Sequence, residues 1–108
     1  MFSKNDDKKI NELTSAILLL KNAKEAKMFL RDLLTESELI EFGNRWMAAR
    51  MLDEKIPYTE IIKKTGLSST TVARVSDWLN GGMGGYKLML KGFKNKHHSS
   101  SFARRGWL

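Results

Sequence analysis

The sequence predicts an all-α chain of about six helices that contains a helix-turn-helix. Apolar residues recur at steps of three and four along most of the chain, the spacing of one helix face. Capping residues, not prolines, punctuate it, and Pro57 is the one proline in 108 residues. Within residues 58–80 a short apolar helix pattern, a glycine, a serine and a second helix pattern follow in order.

The first helix is expected to start at Asn5 with Asp6 and Asp7, whose carboxylates suit the positive end of a helix dipole. Ile10, Leu13, Ile17 and Leu20 form its apolar face. Asn22 with Glu25 has capping-box spacing and predicts a second helix with Ala26, Phe29, Leu30 and Leu33 on one side. The break between these helices is read as either a true end or a kink. Thr35 and Glu38 form the clearest capping box, with Leu34 and Leu39 at the staple positions.

A third helix over about 36–54 is apolar over a wide arc, through Leu39, Ile40, Phe42, Trp46, Met47, Met51 and Leu52. These side chains cannot share one shallow groove, so the helix is expected to be central, with packing on two sides. A second copy of the chain would supply the second side. Pro57 then marks a helix entrance, and Ile61 and Ile62 turn inward on a short helix ending at Thr65. Gly66 suits a left-handed helix end, and Ser68 caps a helix to about Asn80 with Val72, Val75 and Leu79 inward. Residues 81–85, GGMGG, read as a flexible joint. A last short helix over about 86–91 would dock through Leu88 with Met89 or Leu90. The pattern therefore places a single helical domain in residues 1–92 and a basic, flexible tail in 93–108.

One domain of this size buries only roughly two-thirds of its unfolded surface as a monomer, so pairing with a copy of itself would add core. With no cysteine there is no disulfide and no thiolate metal site. The longest apolar run, residues 16–20, is too short to span a membrane, and no signal-like segment leads the chain. A soluble, cytoplasmic protein is the expectation. The net charge of +7 is unevenly placed: residues 1–57 balance ten bases against ten acids, while residues 81–108 carry six bases and no acid. A basic segment beside a candidate reading head fits a polyanion partner, and equally a solvated terminus.

The helix-turn-helix gives each residue type a reason. Gly66 permits the sharp turn, Ser68 satisfies free N–H groups at the second helix, and Ile62 must meet Val72 and Val75 to set the crossing angle. That register turns Ser69, Thr70, Ala73 and Arg74 outward. Small side chains at a helix start allow close approach to a major-groove floor. Thr70 and Thr71 can hydrogen-bond base edges, and Thr or Ala methyls can touch thymine. Arg74 can grip a guanine or a phosphate, and Lys63 is placed for the phosphate backbone. The DNA-contact candidates are thus Lys63, Ser68, Ser69, Thr70, Thr71, Ala73 and Arg74.

The stretch LLTESELIEFGNRWMAARML, followed by this helix-turn-helix, resembles the Trp repressor family, close to its smaller bacterial Trp-repressor-related branch. The resemblance spans about residues 33–79 and rests on Leu34-Thr35, Gly43-x-Arg45 and Arg74 at their spacing. It implies an intertwined homodimer of six helices per chain whose two recognition helices enter successive major grooves. It also implies an effector pocket in which Thr35, Arg45 and Arg74 stand where the founding member contacts tryptophan. Two positions depart from that pattern. Val75 replaces a glycine directly after the second arginine, and Trp78 replaces a small serine further along. Both fill space an indole ligand needs, which argues against a tryptophan corepressor. Taken alone, Arg45 has a plainer partner in Glu41 one turn earlier, Thr35 is explained as a cap, and Trp78 as core.

No metal, catalytic triad or phosphate loop is legible. His97 and His98 are adjacent and unsuited to a shared site, Glu38 and Glu41 with Arg45 read as a surface stripe, and GGMGG lacks the Lys and Ser/Thr of a P-loop. Trp107 and the arginines before it are weak candidates for base stacking. The chain reads as no enzyme and without cofactor. The expectation is a sequence-specific transcriptional regulator, a repressor by preference, that binds double-stranded DNA as a homodimer without tryptophan. The alternatives left open are the same role gated by another small effector near Arg45 and Arg74, a helical protein-interaction module docking through residues 70–74, and a nonspecific nucleic-acid binder working through the tail.

Overall fold

The structure, a computed structural model, describes residues 2–97. Six helices account for nearly all of them: α1 (Lys4–Ile17), α2 (Ala23–Leu33), α3 (Glu36–Asp53), α4 (Tyr58–Thr65), α5 (Ser69–Gly81) and α6 (Gly85–His97). No strand occurs among the described residues. The chain divides into two compact units, one ending at Leu39 and one beginning at Ile40.

In the first unit, side-chain caps set the helix starts. Ser3, not Asn5, caps α1, its hydroxyl accepting the Asp6 N–H at 3.1 Å. Asn5 falls inside the helix because Ser3 supplies the same acceptor earlier and keeps both aspartates in the first turn. The α1–α2 break is a true end, since α1 stops at Ile17 and Asn22 caps α2 by accepting the Glu25 N–H at 2.9 Å. The predicted face therefore stops short of Leu20, which lies between the helices. The Thr35–Glu38 box closes in both directions: Thr35 Oγ1 accepts the Glu38 N–H at 3.2 Å, and the Glu38 carboxylate accepts the Thr35 N–H at 2.9 Å. Those two bonds, the backbone one first, hold the exposed Glu38 carboxyl below its ordinary value of 4.5. Neither α1 nor α2 contains a buried residue.

The second unit holds the core. Ala48, Ala49 and Met51 of α3 pack with Ile61 of α4, Leu67 of the turn, and Val72 and Val75 of α5. Ile62 is partly buried against this cluster, so Ile61 is the innermost of the two predicted isoleucines. Alanine at two central α3 positions lets neighbouring helices approach closely. Lys55 turns the chain between α3 and α4 with a φ of 64°, in the left-handed region.

The last helix is longer than its sequence pattern suggested. It continues through Gly92 to His97, because residues beyond the expected end have partners on α3. Leu90 is buried and Tyr86 packs against the core, whereas Leu88 and Met89, expected to dock, are exposed. Tyr86, Leu90 and Phe93 lie at i, i+4 and i+7, one face of α6. The Trp46 ring stacks on Tyr86 at 6.4 Å and meets Phe93 edge-on at 5.8 Å. Arg50 lies 5.2 Å over the Phe93 ring, and Lys94 pairs with the Asp53 carboxylate. Of the predicted tail, His98 and everything after it, Trp107 included, lie outside the described residues.

Candidate nucleic-acid interface

Helices α4 and α5 and the turn between them form the helix-turn-helix. Thr65 hydroxyl donates to the Ile61 carbonyl at 2.7 Å and accepts the Leu67 N–H at 3.2 Å, bracing the turn from inside. Gly66 follows with a φ of 74°, and its N–H closes α4 on the Ile62 carbonyl at 2.8 Å. A residue with a Cβ is strained in that conformation, which is why glycine stands there. Ser68 Oγ then accepts the Thr71 N–H at 3.1 Å and donates to Thr71 Oγ1 at 3.0 Å. Ile61, Val72 and Val75 are fully buried beneath, so the corner is rigid.

This packing sorts the predicted contact residues. Ser69, Thr70 and Arg74 are exposed on one side of α5, and Arg74 makes no ion pair among the described residues. Thr71 is half-buried with its hydroxyl engaged by Ser68, and Ala73 is half-buried as well. Ser68 is exposed but committed to its cap. Lys63 projects from α4, 76% exposed, with only a long 3.9 Å approach to Glu60. Lys64 is exposed beside it. The first turn of α5 carries no acid, so no carboxylate there offsets the positive end of its dipole. Small hydroxyls at a helix start, an unengaged arginine one turn on and lysines on the preceding helix can together hold base edges and phosphates.

The residues assigned to an effector pocket distribute differently. Val75 is fully buried in the core and opens onto nothing. Thr35 belongs to the first unit, where its hydroxyl and N–H are used in the capping box. Arg45 and Trp78 are brought together: the guanidinium lies 5.7 Å over the indole ring. Phe42 lies 5.6 Å from the same guanidinium, and Glu41 accepts from Nη2 at 2.6 Å. Arg45 Nε is buried with no hydrogen-bond partner among the described residues. Phe42 was expected only as part of the apolar arc of α3 and not as a partner of Arg45, although its position three residues earlier on one helix face was a usable signal. Tyr86 stands nearby: burial pushes its phenol up, partly offset by the charge of Arg45. Among the described residues no group of three or more His, Cys, Asp or Glu could hold a metal ion. No described helix is long and apolar enough to cross a membrane.

Comparison with known proteins agrees with this architecture. The family model described as Trp repressor protein matches residues 8–94. The uncharacterized protein YerC of Bacillus subtilis (strain 168) is 36% identical over 94 residues, spanning 87% of this chain and 90% of the relative. The crystal structure of a TrpR-like protein from Eubacterium eligens superposes with a TM-score of 0.74 at 37% identity, over 78% of this chain and 87% of that one. A Trp-repressor candidate from Staphylococcus aureus gives the same TM-score at 29% identity, over 83% of this chain and 93% of that one. With helices α2 to α5 wholly inside the matched region, this chain belongs to the Trp repressor family, whose members are regulators and not enzymes.

Proposed function

We propose that this chain is a sequence-specific transcriptional repressor that binds operator DNA as a homodimer, reading bases through the N-terminal half of α5. The observation that carries the reading is the exposed set Ser69, Thr70 and Arg74 on a corner whose inner residues are fully buried. A rigid support fixes where those side chains point, which base readout requires. Lys63 and Lys64 supply phosphate contacts that set register without reading sequence. The cytoplasm is where such a protein meets its operator.

The dimer reading rests on unspent apolar surface. Ile10, Leu13, Ile17, Leu30 and Leu33 are between 37% and 46% exposed on helices that hold no fully buried residue. Ile40 and Phe42 of α3 are exposed as well. A second copy covers these side chains and gives two recognition helices about one DNA turn apart. Tryptophan is not the corepressor: Val75 belongs to the core and the Trp78 ring already lies against Arg45.

Selection from random duplex DNA, with and without an amino-acid mixture, tests the reading. The expected result is a two-fold-related motif with half-sites about one turn apart, unchanged by the mixture. Recovery of no symmetric motif sinks the sequence-specific reading. An amino-acid-dependent motif sinks the effector-free one.

A further inference from the structure

Trp78 sits on the recognition helix but outside its buried stripe. Val72, Val75 and Leu79 point into the core, while Trp78 is 43% exposed one turn after Arg74. Here the ring lies over the Arg45 guanidinium of α3, which is itself held by Glu41 and flanked by Phe42. Arg45 uses one nitrogen for the carboxylate and buries another without a hydrogen bond, and its planar group lies 5.6 Å from the Phe42 ring and 5.7 Å from that of Trp78.

We infer that Trp78 is a positioning residue for DNA reading: through the Phe42–Arg45–Trp78 clamp it sets the angle at which α5 presents Ser69, Thr70 and Arg74. This rests on the proposed reading of α5 as the DNA-reading element. The α4–α5 corner is rigid within itself, and the fully buried α3 residues of its core are Ala48, Ala49 and Met51, whose burial is non-directional and leaves the angle of the corner against α3 to be set by directional contacts. A ring stacked on a guanidinium is directional, because attraction falls as the cation leaves the ring face. Glu41 and Phe42 stand on the same helix as Arg45, so they fix the guanidinium relative to α3. Trp78 then ties α5 to that fixed point at its C-terminal half, and a small rotation there moves the DNA-facing N-terminal half by more. Contacts of this class shift an equilibrium by roughly threefold to thirtyfold. A clamp of that size biases the presentation of a helix without being needed for folding.

The geometry adds a distinguishing consequence. Removing the Trp78 side chain leaves an indole-sized, partly open space facing Arg45. Free indole can enter that space and restore the stacking contact, as a small aromatic fills a cavity left by a deleted ring. In the intact protein the space is filled by the side chain itself, so indole has nothing to restore.

The test compares the full chain with Trp78→Ala and Trp78→Phe, on the duplex selected by the intact protein. Trp78→Ala is expected to weaken binding about tenfold with the melting temperature and oligomeric state little changed. Trp78→Phe, which keeps a ring face, is expected to stay within about threefold. Millimolar indole should recover most of the Trp78→Ala loss and leave the intact protein unaffected. Equal binding by the intact protein and the stably folded Trp78→Ala variant overturns the clamp while leaving the DNA reading intact. Loss of binding that neither phenylalanine nor indole recovers also overturns it. An intact protein that selects no duplex instead overturns the DNA reading. The clamp is then read from backbone amide shifts: movement through residues 69–74 in Trp78→Ala that reverses with indole supports it, and unmoved shifts refute it.

Discussion

Trp46 of α3 stacks on Tyr86 of α6 with their rings 6.4 Å apart and only 13° from parallel. The pair fastens the last helix to the central one on the far side of a glycine joint. Phe93 closes the same cluster edge-on, which explains why α6 outruns its sequence pattern. Phe93→Ala should cost about 2 kcal/mol, less than a fully buried ring because Phe93 is only half-buried. Denaturant unfolding measures the loss, and amide exchange should rise selectively over residues 93–97. Uniform exchange across the second unit would show that α6 is not held by this cluster.

The glycine at the helix-turn-helix corner makes a sharper prediction. A Cβ at Gly66 meets no atom within 4 Å, so the whole cost of Gly66→Ala comes from the 74° φ. That cost is about 1 kcal/mol. Gly66→Asn should be milder, because asparagine tolerates the left-handed region better than alanine. Equal unfolding midpoints for the two variants would show that the turn has relaxed to another conformation.

The Thr35–Glu38 box predicts a pH response. Its hydrogen bonds favour the charged carboxylate, so the folded protein holds the Glu38 value below 4.5. A depressed acid stabilises the fold above its unfolded value and loses that contribution as pH falls through the folded value. NMR titration should therefore place Glu38 below 4.5, and Thr35→Ala should move it upward. A Glu38 titration unmoved by Thr35→Ala would mean that the box is open in solution.

The candidate DNA face separates two kinds of contact. Lys63→Ala should weaken every duplex alike and reduce the salt slope by about one unit. Thr70→Ala should change which sequences are selected, with roughly 1–3 kcal/mol lost at one base position. Competition binding over a panel of single-base variants distinguishes them. A sequence-dependent effect of Lys63→Ala would reverse the assignment.

Ser68 joins stability to that face. Ser68→Ala removes the cap of α5 and should cost about 1 kcal/mol, and it also frees the Thr71 hydroxyl. Ser68→Asp restores the cap but puts a negative charge where phosphate would approach. Its unfolding midpoint should therefore return toward that of the intact protein while duplex affinity falls further. Recovery of both together would separate Ser68 from the DNA face.

Much of this protein was legible in local sequence. The Thr35–Glu38 box, the Asn22 cap, the left-handed Gly66, the Ser68 cap and the buried register of Val72, Val75 and Leu79 are short-range effects. Each is decided by residues within one or two turns of one another, so spacing and residue type suffice. The Arg45–Glu41 pair was visible for the same reason. The N-terminal cap went to Ser3 over Asn5 because two acceptors compete within three residues, and geometry chooses between them.

Only the tertiary structure decided what distant helices do to one another. Leu88 and Met89 look as suitable for docking as Tyr86 and Phe93, but the rotation of α6 against α3 exposes the first two and packs the others on Trp46 and Arg50. In the same way Trp78 reads as core or as a blocked pocket, and the crossing of α5 over α3 makes it a ring against Arg45. Periodicity names the residues that share a helix face. Which face meets which neighbour depends on the crossing of helices far apart in sequence, and no local spacing encodes that.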